Sequence, residues 1–239
     1  MTTSQHPPVH AAARNNALWC AAMSRTHGVT GRFADEAWAS PVRTPLYYPD
    51  AVTLAPGAGA AALVARIDTD APGATVKDSF GDLDLSDAGF RVLFEARWIH
   101  RPAGASGLAL SGAALSWDVV TDQETLRSWA LAWDDDDADL FRPALLDVPD
   151  VHVIAGRDAE GQVTSGAVLN RGADAVGVSN VFSRGTGTGT DIAWSCVLDA
   201  AHQLYPGLPV VGYEHGDDLA TALRHGFEAV GPLRIWLKP

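Results

Sequence analysis

The sequence predicts a mixed α/β fold, and three observations predict it. Residues 175–205, AVGVSNVFSRGTGTGTDIAWSCVLDAAHQLY, read as an apolar, β-branched strand (176–183), a glycine loop (184–189) and a helix (190–205). The helix puts Ile192, Cys196, Val197, Ala200, Ala201 and Leu204 on one face. From residue 113 onward the elements follow the order β-α-α-β-β-β-α-β-α-β, which calls for a mixed sheet with helices packed on it. Residues 50–102 run through the same events as the last part of the chain, in weaker form, as an internal repeat would.

Composition bounds the class. The chain has 239 residues, of which 47% are hydrophobic, and a mean hydropathy of +0.01, values that describe a soluble globular protein of one or two domains. A formal charge of -12 argues against nucleic acid or an anionic membrane surface as partner, because the long-range field repels polyanions, and it favours cationic partners such as amines. Cys20 and Cys196 have no C-x-x-C spacing, so buried free thiols are expected rather than a disulfide or a zinc site. Residues 1–10 lack the apolar run of a signal peptide, and no apolar stretch is long enough to span a membrane, which points to the cytoplasm.

The elements follow in order. Residues 1–10 read as a disordered tail, and a helix is expected over 11–27, with Leu18, Trp19, Ala22 and Met23 on one side and Gly28 as its stop. Residues 31–49 read as loop. A strand (50–54), a glycine turn (Pro56, Gly57, Gly59), a helix (60–67), a strand (74–79) and a strand ending in Arg97-Trp98-Ile99 make up the weaker copy. Pro56 removes one N–H donor from its turn and no arginine precedes it, so this copy is expected to be structural. Residues 103–112, rich in Gly, Ala and Ser, read as the linker, dividing the chain into 11–112 and 113–239.

In the second half a strand (115–120) leads into Thr121-x-x-Glu124, a capping box, and a helix with Leu126, Trp129, Ala130 and Trp133 on one face. A short helix over 139–146 contains Pro143. Strands over 151–156 and 162–170 flank a turn, and after the central stretch come a strand (208–213), a helix over 217–225 capped by Asp217 and stopped by Gly226, and a final strand.

The glycine loop narrows the function. It has neither the Gly-Lys-Ser/Thr of a Walker loop nor G-x-G-x-x-G, but reads Arg184-x-x-Gly187-x-Gly189 before a helix, where bared N–H groups and the helix dipole suit an anion. This pattern resembles the pyrophosphate loop of the GNAT superfamily of N-acetyltransferases. The order of elements over residues 115–239 and the Gly226-Phe227 pair before the last strand resemble that family too. The resemblance implies a GNAT-like acyl-CoA N-acyltransferase fold in the C-terminal half, with a degenerate GNAT-like N-terminal half. It implies acetyl-CoA as co-substrate, direct transfer to an amine of a small molecule or peptide, and no metal. Val181, Phe182, Ser183, Arg184, Gly185, Thr186, Gly187, Thr188, Gly189 and Thr190 would then hold coenzyme A, the strand end through main chain and the loop through the diphosphate.

The chemistry asks for a base, because an alkylammonium with a pKa of about 10.4 must lose a proton before it attacks. Glu214 or His215 is the choice, acting through water, with Tyr213 as acid to the departing thiolate and Asn180 orienting the substrate. Glu214 and His215 read equally well as solvated loop residues. Where many family members carry a tyrosine four residues before the Gly-Phe pair, this chain has Ala222, and Asp191 stands beside the loop that should hold a diphosphate. Both departures leave open a non-catalytic acyl-CoA sensor or scaffold. The acidic run 134–137 reads as a solvated loop or as a lure for a cationic acceptor, and the chain is compatible with a homodimer.

Overall fold

A computed structural model of the chain describes residues 7–105, 117–136, 138–185 and 189–239. The described strands form one eleven-stranded mixed sheet. They are β1 (Arg32–Phe33), β2 (Ala37–Ala39), β3 (Ala51–Thr53), β4 (Ala74–Asp78), β5 (Arg91–Arg101), β6 (Trp117–Val119), β7 (Val151–Arg157), β8 (Val163–Gly172), β9 (Ala175–Ser183), β10 (Val210–Glu214) and β11 (Glu228–Lys238). Their order across the sheet is β1-β2-β3-β4-β11-β5-β10-β9-β8-β7-β6. Neighbours are antiparallel except for β3 with β4 and β9 with β10.

The order places β5 inside the half that follows it in sequence. It runs antiparallel to β10, with Tyr213 opposite Trp98, and antiparallel to β11, with Leu233 opposite Ala96. β11 in turn pairs with β4 of the first half, Trp236 opposite Val76. The sheet is therefore continuous across the linker, and each parallel pair is bordered by a long strand from the other half.

Two helical layers cover the sheet. On one face α4 (Gly189–Leu204) packs Trp194, Val197, Ala200 and Ala201 against Ile99, Leu169, Val176 and Val178, joined by Ala222 of α5 (Gly216–Arg224) and Phe227. On the other face lie α1 (Pro8–Thr26) and α3 (Gln123–Trp133), sharing a core of Trp19, Met23, Leu126, Trp129, Phe141 and Leu145. α2 (Ala60–Val64) covers β3 and β4. Cys20 and Cys196 are free and buried.

Several boundaries differ from the sequence reading for identifiable reasons. Residues 8–10, read as part of a tail, are the first turn of α1, since Pro8 needs no N–H at that position; residues 1–6 lie outside the described residues. Within residues 31–49 the short strands β1 and β2 extend the sheet, too brief to show a period of two. Asp122, not Thr121, caps α3, its Oδ1 accepting from the Thr125 N–H at 2.9 Å. Pro143 opens a 3-10 turn, Pro143–Asp147, in place of the helix read over 139–146. α2 ends at Val64, short of residue 67, and α5 starts at Gly216 with His215, not Asp217, as its flanking residue. The strand read over 115–120 is described only from Trp117, and most of the linker lies outside the described residues.

α1 is docked by a buried polar lock. Asn15 Nδ2 donates to the carbonyls of Asn170, Gly172 and Ala175, while Asn170 Nδ2 donates to Asn15 Oδ1 at 3.0 Å. The lock needs a bare backbone beneath it: a Cβ at Gly177 would stand 2.0 Å from Asn15 Oδ1 and 2.4 Å from Asn170 Oδ1. Gly177→Ala should therefore destabilise the protein by about 1–3 kcal/mol through overpacking, read as a shift in the urea midpoint. An unchanged midpoint would show that α1 docks without the lock.

Candidate functional site

The parallel pair β9 and β10 separates soon after it forms. Val176 and Gly177 face Val210 and Val211, and beyond them the two strands share no ladder. Each keeps its other partner: β9 stays with β8 as far as Ser183, and β10 stays with β5 as far as Glu214. A wedge with main chain on both walls results. At its β9 wall the register to β8 slips, because Ser179 and Phe182 face Val168 and Gly166, leaving two residues opposite one. Asn180 sits in this bulge with φ 55°, a left-handed conformation that a non-glycine residue adopts only when its surroundings impose it.

The side chains of this wall point into the two cores. Val181 packs on the α4 side and Phe182 meets the Trp129 ring at 5.3 Å under α3, so towards a ligand both offer main chain. The Ser183 hydroxyl accepts from the Gly185 N–H at 3.2 Å, and a Cβ at Gly189 would come within 2.6 Å of that hydroxyl. A glycine at 189 is thus what lets the start of α4 approach Ser183. Thr186, Gly187 and Thr188 lie outside the described residues. Thr190 is partly buried in the first turn of α4.

Arg184 is engaged elsewhere than expected. Its guanidinium donates to the Ala132 carbonyl at 3.0 Å, to the Leu131 carbonyl and to Asp135, capping the C-terminal end of α3. Cations are favoured there by the helix dipole, and the arrangement ties the glycine loop to the acidic run. Asp191, which looked unsuited to a loop that binds an anion, pairs with Arg224 at 3.1 Å and with His225 Nε2 at 3.0 Å. Desolvation opposes its ionisation, but these partners outweigh it and hold its carboxyl below the ordinary range. Its charge is met by α5 rather than turned on the loop.

At the β10 wall the three residues proposed for proton transfer are divided. Alternation along the strand sends Tyr213 to the α1 face, where Val211 also lies with Ala12 and Ala13, and sends Glu214 to the α4 and α5 face with Val210. Glu214 makes no hydrogen bond or ion pair with the other described residues. Burial, with the Asp218 carboxylate one turn into α5 adding to it, pushes its carboxyl up to about 8. The His215 ring instead lies over Phe94 of β5, centroids 5.2 Å apart, and lines a 210 Å³ pocket with Glu95, Arg97 and Arg234. The structure therefore does not bring His215 together with Glu214.

Tyr213 has companions that the sequence reading missed. Its ring meets Trp98 edge-on at 5.7 Å, and the Lys77 ammonium stands 4.2 Å from its centroid. Lys77 is only 4% exposed and donates to Asn16 Oδ1 at 2.8 Å. The Tyr48 hydroxyl lies beside Asn180 and Trp19 yet makes no hydrogen bond of normal geometry; burial, then Cys20 and Tyr213, raise its pKa well above the ordinary value. The signal available was a lysine inside an apolar strand, Ala74-Thr75-Val76-Lys77, and two asparagines inside an apolar helix.

The first half turns its glycine amides on its own carboxylates. At its glycine turn the Gly57 N–H is taken by Asp82 at 2.7 Å and the Gly59 N–H by Glu36 at 3.3 Å. Its helix, α2, is five residues long. Among the described residues no group of three or more His, Cys, Asp or Glu side chains is placed to hold a metal ion, and no helix is long and apolar enough to cross a membrane.

This architecture is that of GNAT acetyltransferases. The chain superposes on a GCN5-related N-acetyltransferase from Kribbella flavida with a TM-score of 0.62 at 16% identity, covering 91% of this chain and 94% of the other. A protein assigned by name to the GNAT acetyltransferases, from Novosphingobium aromaticivorans, gives 0.58 at 14% identity, with 98% of both chains covered. A GCN5-related N-acetyltransferase-like protein from Streptococcus suis gives 0.51 at 13%, over 87% of this chain and 82% of the other. No protein-family model matches the sequence, and no curated protein matches it. At these identities the likeness establishes the fold.

The carboxyl of Glu214 has a consequence for stability that can be measured without any ligand. A group whose folded pKa is raised contributes stability below its unfolded value, about 4.3 for a glutamate, that is lost as pH rises through its folded value. Glu214→Gln should match the wild type in melting temperature near pH 4 and become progressively more stable than it up to pH 8. A difference that stays flat over this range would mean that Glu214 is ionised throughout.

Proposed function

We propose that this chain is an acetyl-CoA-dependent N-acyltransferase that moves an acyl group from the thioester directly to a primary amine of a small molecule or peptide. The observation that carries the reading is the wedge: two parallel strands part at a left-handed bulge, with a helix that begins at Gly189 shortly after the end of β9, on a GNAT fold. Such a wedge fits an extended arm lying along bare main chain, and the loop fits a diphosphate. On this reading residues 181–190 hold coenzyme A. Arg184 contributes by fixing the loop to α3 rather than by gripping the phosphates.

Glu214 is the base. In its carboxylate form it takes one proton from the acceptor ammonium through water. The freed nitrogen attacks the thioester carbonyl carbon; the C–N bond forms and the C–S bond breaks. The thiolate takes a proton from Tyr213, and the second proton shed by the nitrogen restores the phenol. Asn180, at the bulge, orients the acceptor. His215, turned to Phe94, is left outside this scheme. We read the protein as cytoplasmic, and residues 11–112 as a degenerate copy whose turn amides are filled by its own carboxylates. Ala222, standing where many GNAT enzymes carry a tyrosine, favours a second reading, an acyl-CoA sensor without turnover.

Thiol release from acetyl-CoA in the presence of an amine panel, with melting temperatures in acetyl-CoA, tests both. The transferase reading expects stabilisation and release. Its kcat/KM should rise with pH through an apparent value near 8, and Glu214→Gln should remove that rise and lower kcat about 100-fold. Gly189→Ala, which crowds Ser183, should weaken acetyl-CoA binding about tenfold. Stabilisation without release with any amine would select the sensor, and neither effect would remove both readings.

A further inference from the structure

Resting on the transferase reading, we infer that the α1 side of the wedge is a subsite for a carboxylate carried by the acceptor, with Lys77 as its cation. Lys77 projects from β4 on the face covered by α1 and is almost wholly buried. Its ammonium touches a neutral amide oxygen of Asn16 and the face of Tyr213. Among the described residues it has no carboxylate partner. The two buried carboxylates of this part of the sheet are committed elsewhere: Asp50, just before β3, accepts from Thr44 and Thr75 and pairs with Arg43, and Asp78, at the end of β4, accepts from the N–H groups of Gly81 and Leu83. A buried cation without an anion is costly unless a ligand supplies one.

The position suits an acceptor rather than a structural ion. Tyr213 belongs to the part of β10 that has already left β9, so the ammonium lies against a residue of the β10 wall of the wedge. On the opposite wall is Asn180, with the Tyr48 hydroxyl beside it, buried and lacking a normal hydrogen-bond partner. One buried cation and one buried hydroxyl, each beside a residue of a different wall of the wedge, match the two oxygens of a carboxylate better than they match a second amine. An acidic protein that draws in amines would thus select, at the end of the path, those that also bear a carboxylate. Amino acids and ω-amino acids are the substrate class.

The test compares matched acceptors with acetyl-CoA: phenylalanine against phenethylamine, and β-alanine against ethylamine. The wild type should favour the amino acid at least tenfold in kcat/KM. Lys77→Met should erase that preference through KM while leaving the plain amines within about threefold. A readout without catalysis accompanies it: sodium phenylacetate should raise the melting temperature of the wild type above the effect of phenylacetamide in matched sodium chloride, and should not do so for Lys77→Met. Equal use of the two acceptors, or equal melting shifts with acid and amide, would overturn the inference while acetyl-CoA binding and thiol release still support the transferase. A preference for succinyl-CoA over butyryl-CoA that depends on Lys77 would overturn it as well, by moving the carboxylate to the donor.

Discussion

β10 can leave β9 because β5 holds its other edge over its whole length. Buried N–H and C=O groups must be paired, and a central strand that gives up one neighbour keeps half of its ladder only if the other neighbour is complete. Pairs from Val210 with Arg101 to Glu214 with Arg97 meet that condition. Everything proposed for the site follows from this: the wedge, the main chain of residues 179–183 that has no ladder to β10, and the placing of Tyr213 and Glu214 on opposite faces of one short strand.

The two faces then acquire different chemistry. On the α4 and α5 side, a carboxyl with no hydrogen-bond or ion-pair partner among the described residues is kept protonated to unusually high pH by burial and by Asp218. On the α1 side, a lysine, two tyrosines and two asparagines share a space closed by a helix that the polar lock at Gly177 holds down. α1 therefore serves both halves: it lies across β5, β8, β9 and β10, and its Asn16 holds the Lys77 ammonium.

The central strand and helix were legible in the sequence to within a residue at each end, because apolar periodicity is a local property. So were the free thiols and the stop at Gly226. The exchanged position of β5 was not, since nothing in residues 91–101 says which strand they will pair with. Nor was the fate of Arg184, whose motif position suggested phosphate but whose guanidinium found the open end of α3. Tyr213, Glu214 and His215 could be located at a strand end but not sorted among three directions. Lys77, about 140 residues away in sequence from Tyr213, becomes a neighbour only once β11 and β5 are interposed.

The exchange of β5 and β11 also sets an order of assembly. During synthesis β5 emerges long before either of its partners, and both of its edges stay bare until β10 and then residues 228–238 have left the ribosome. The first half cannot close its own sheet in the meantime, because the place beside β4 belongs to β11, which follows far later in the sequence. The nascent chain must therefore carry an eleven-residue strand with two open edges until β10 and β11 have been made, a span in which chaperone capture competes with pairing to a neighbouring chain.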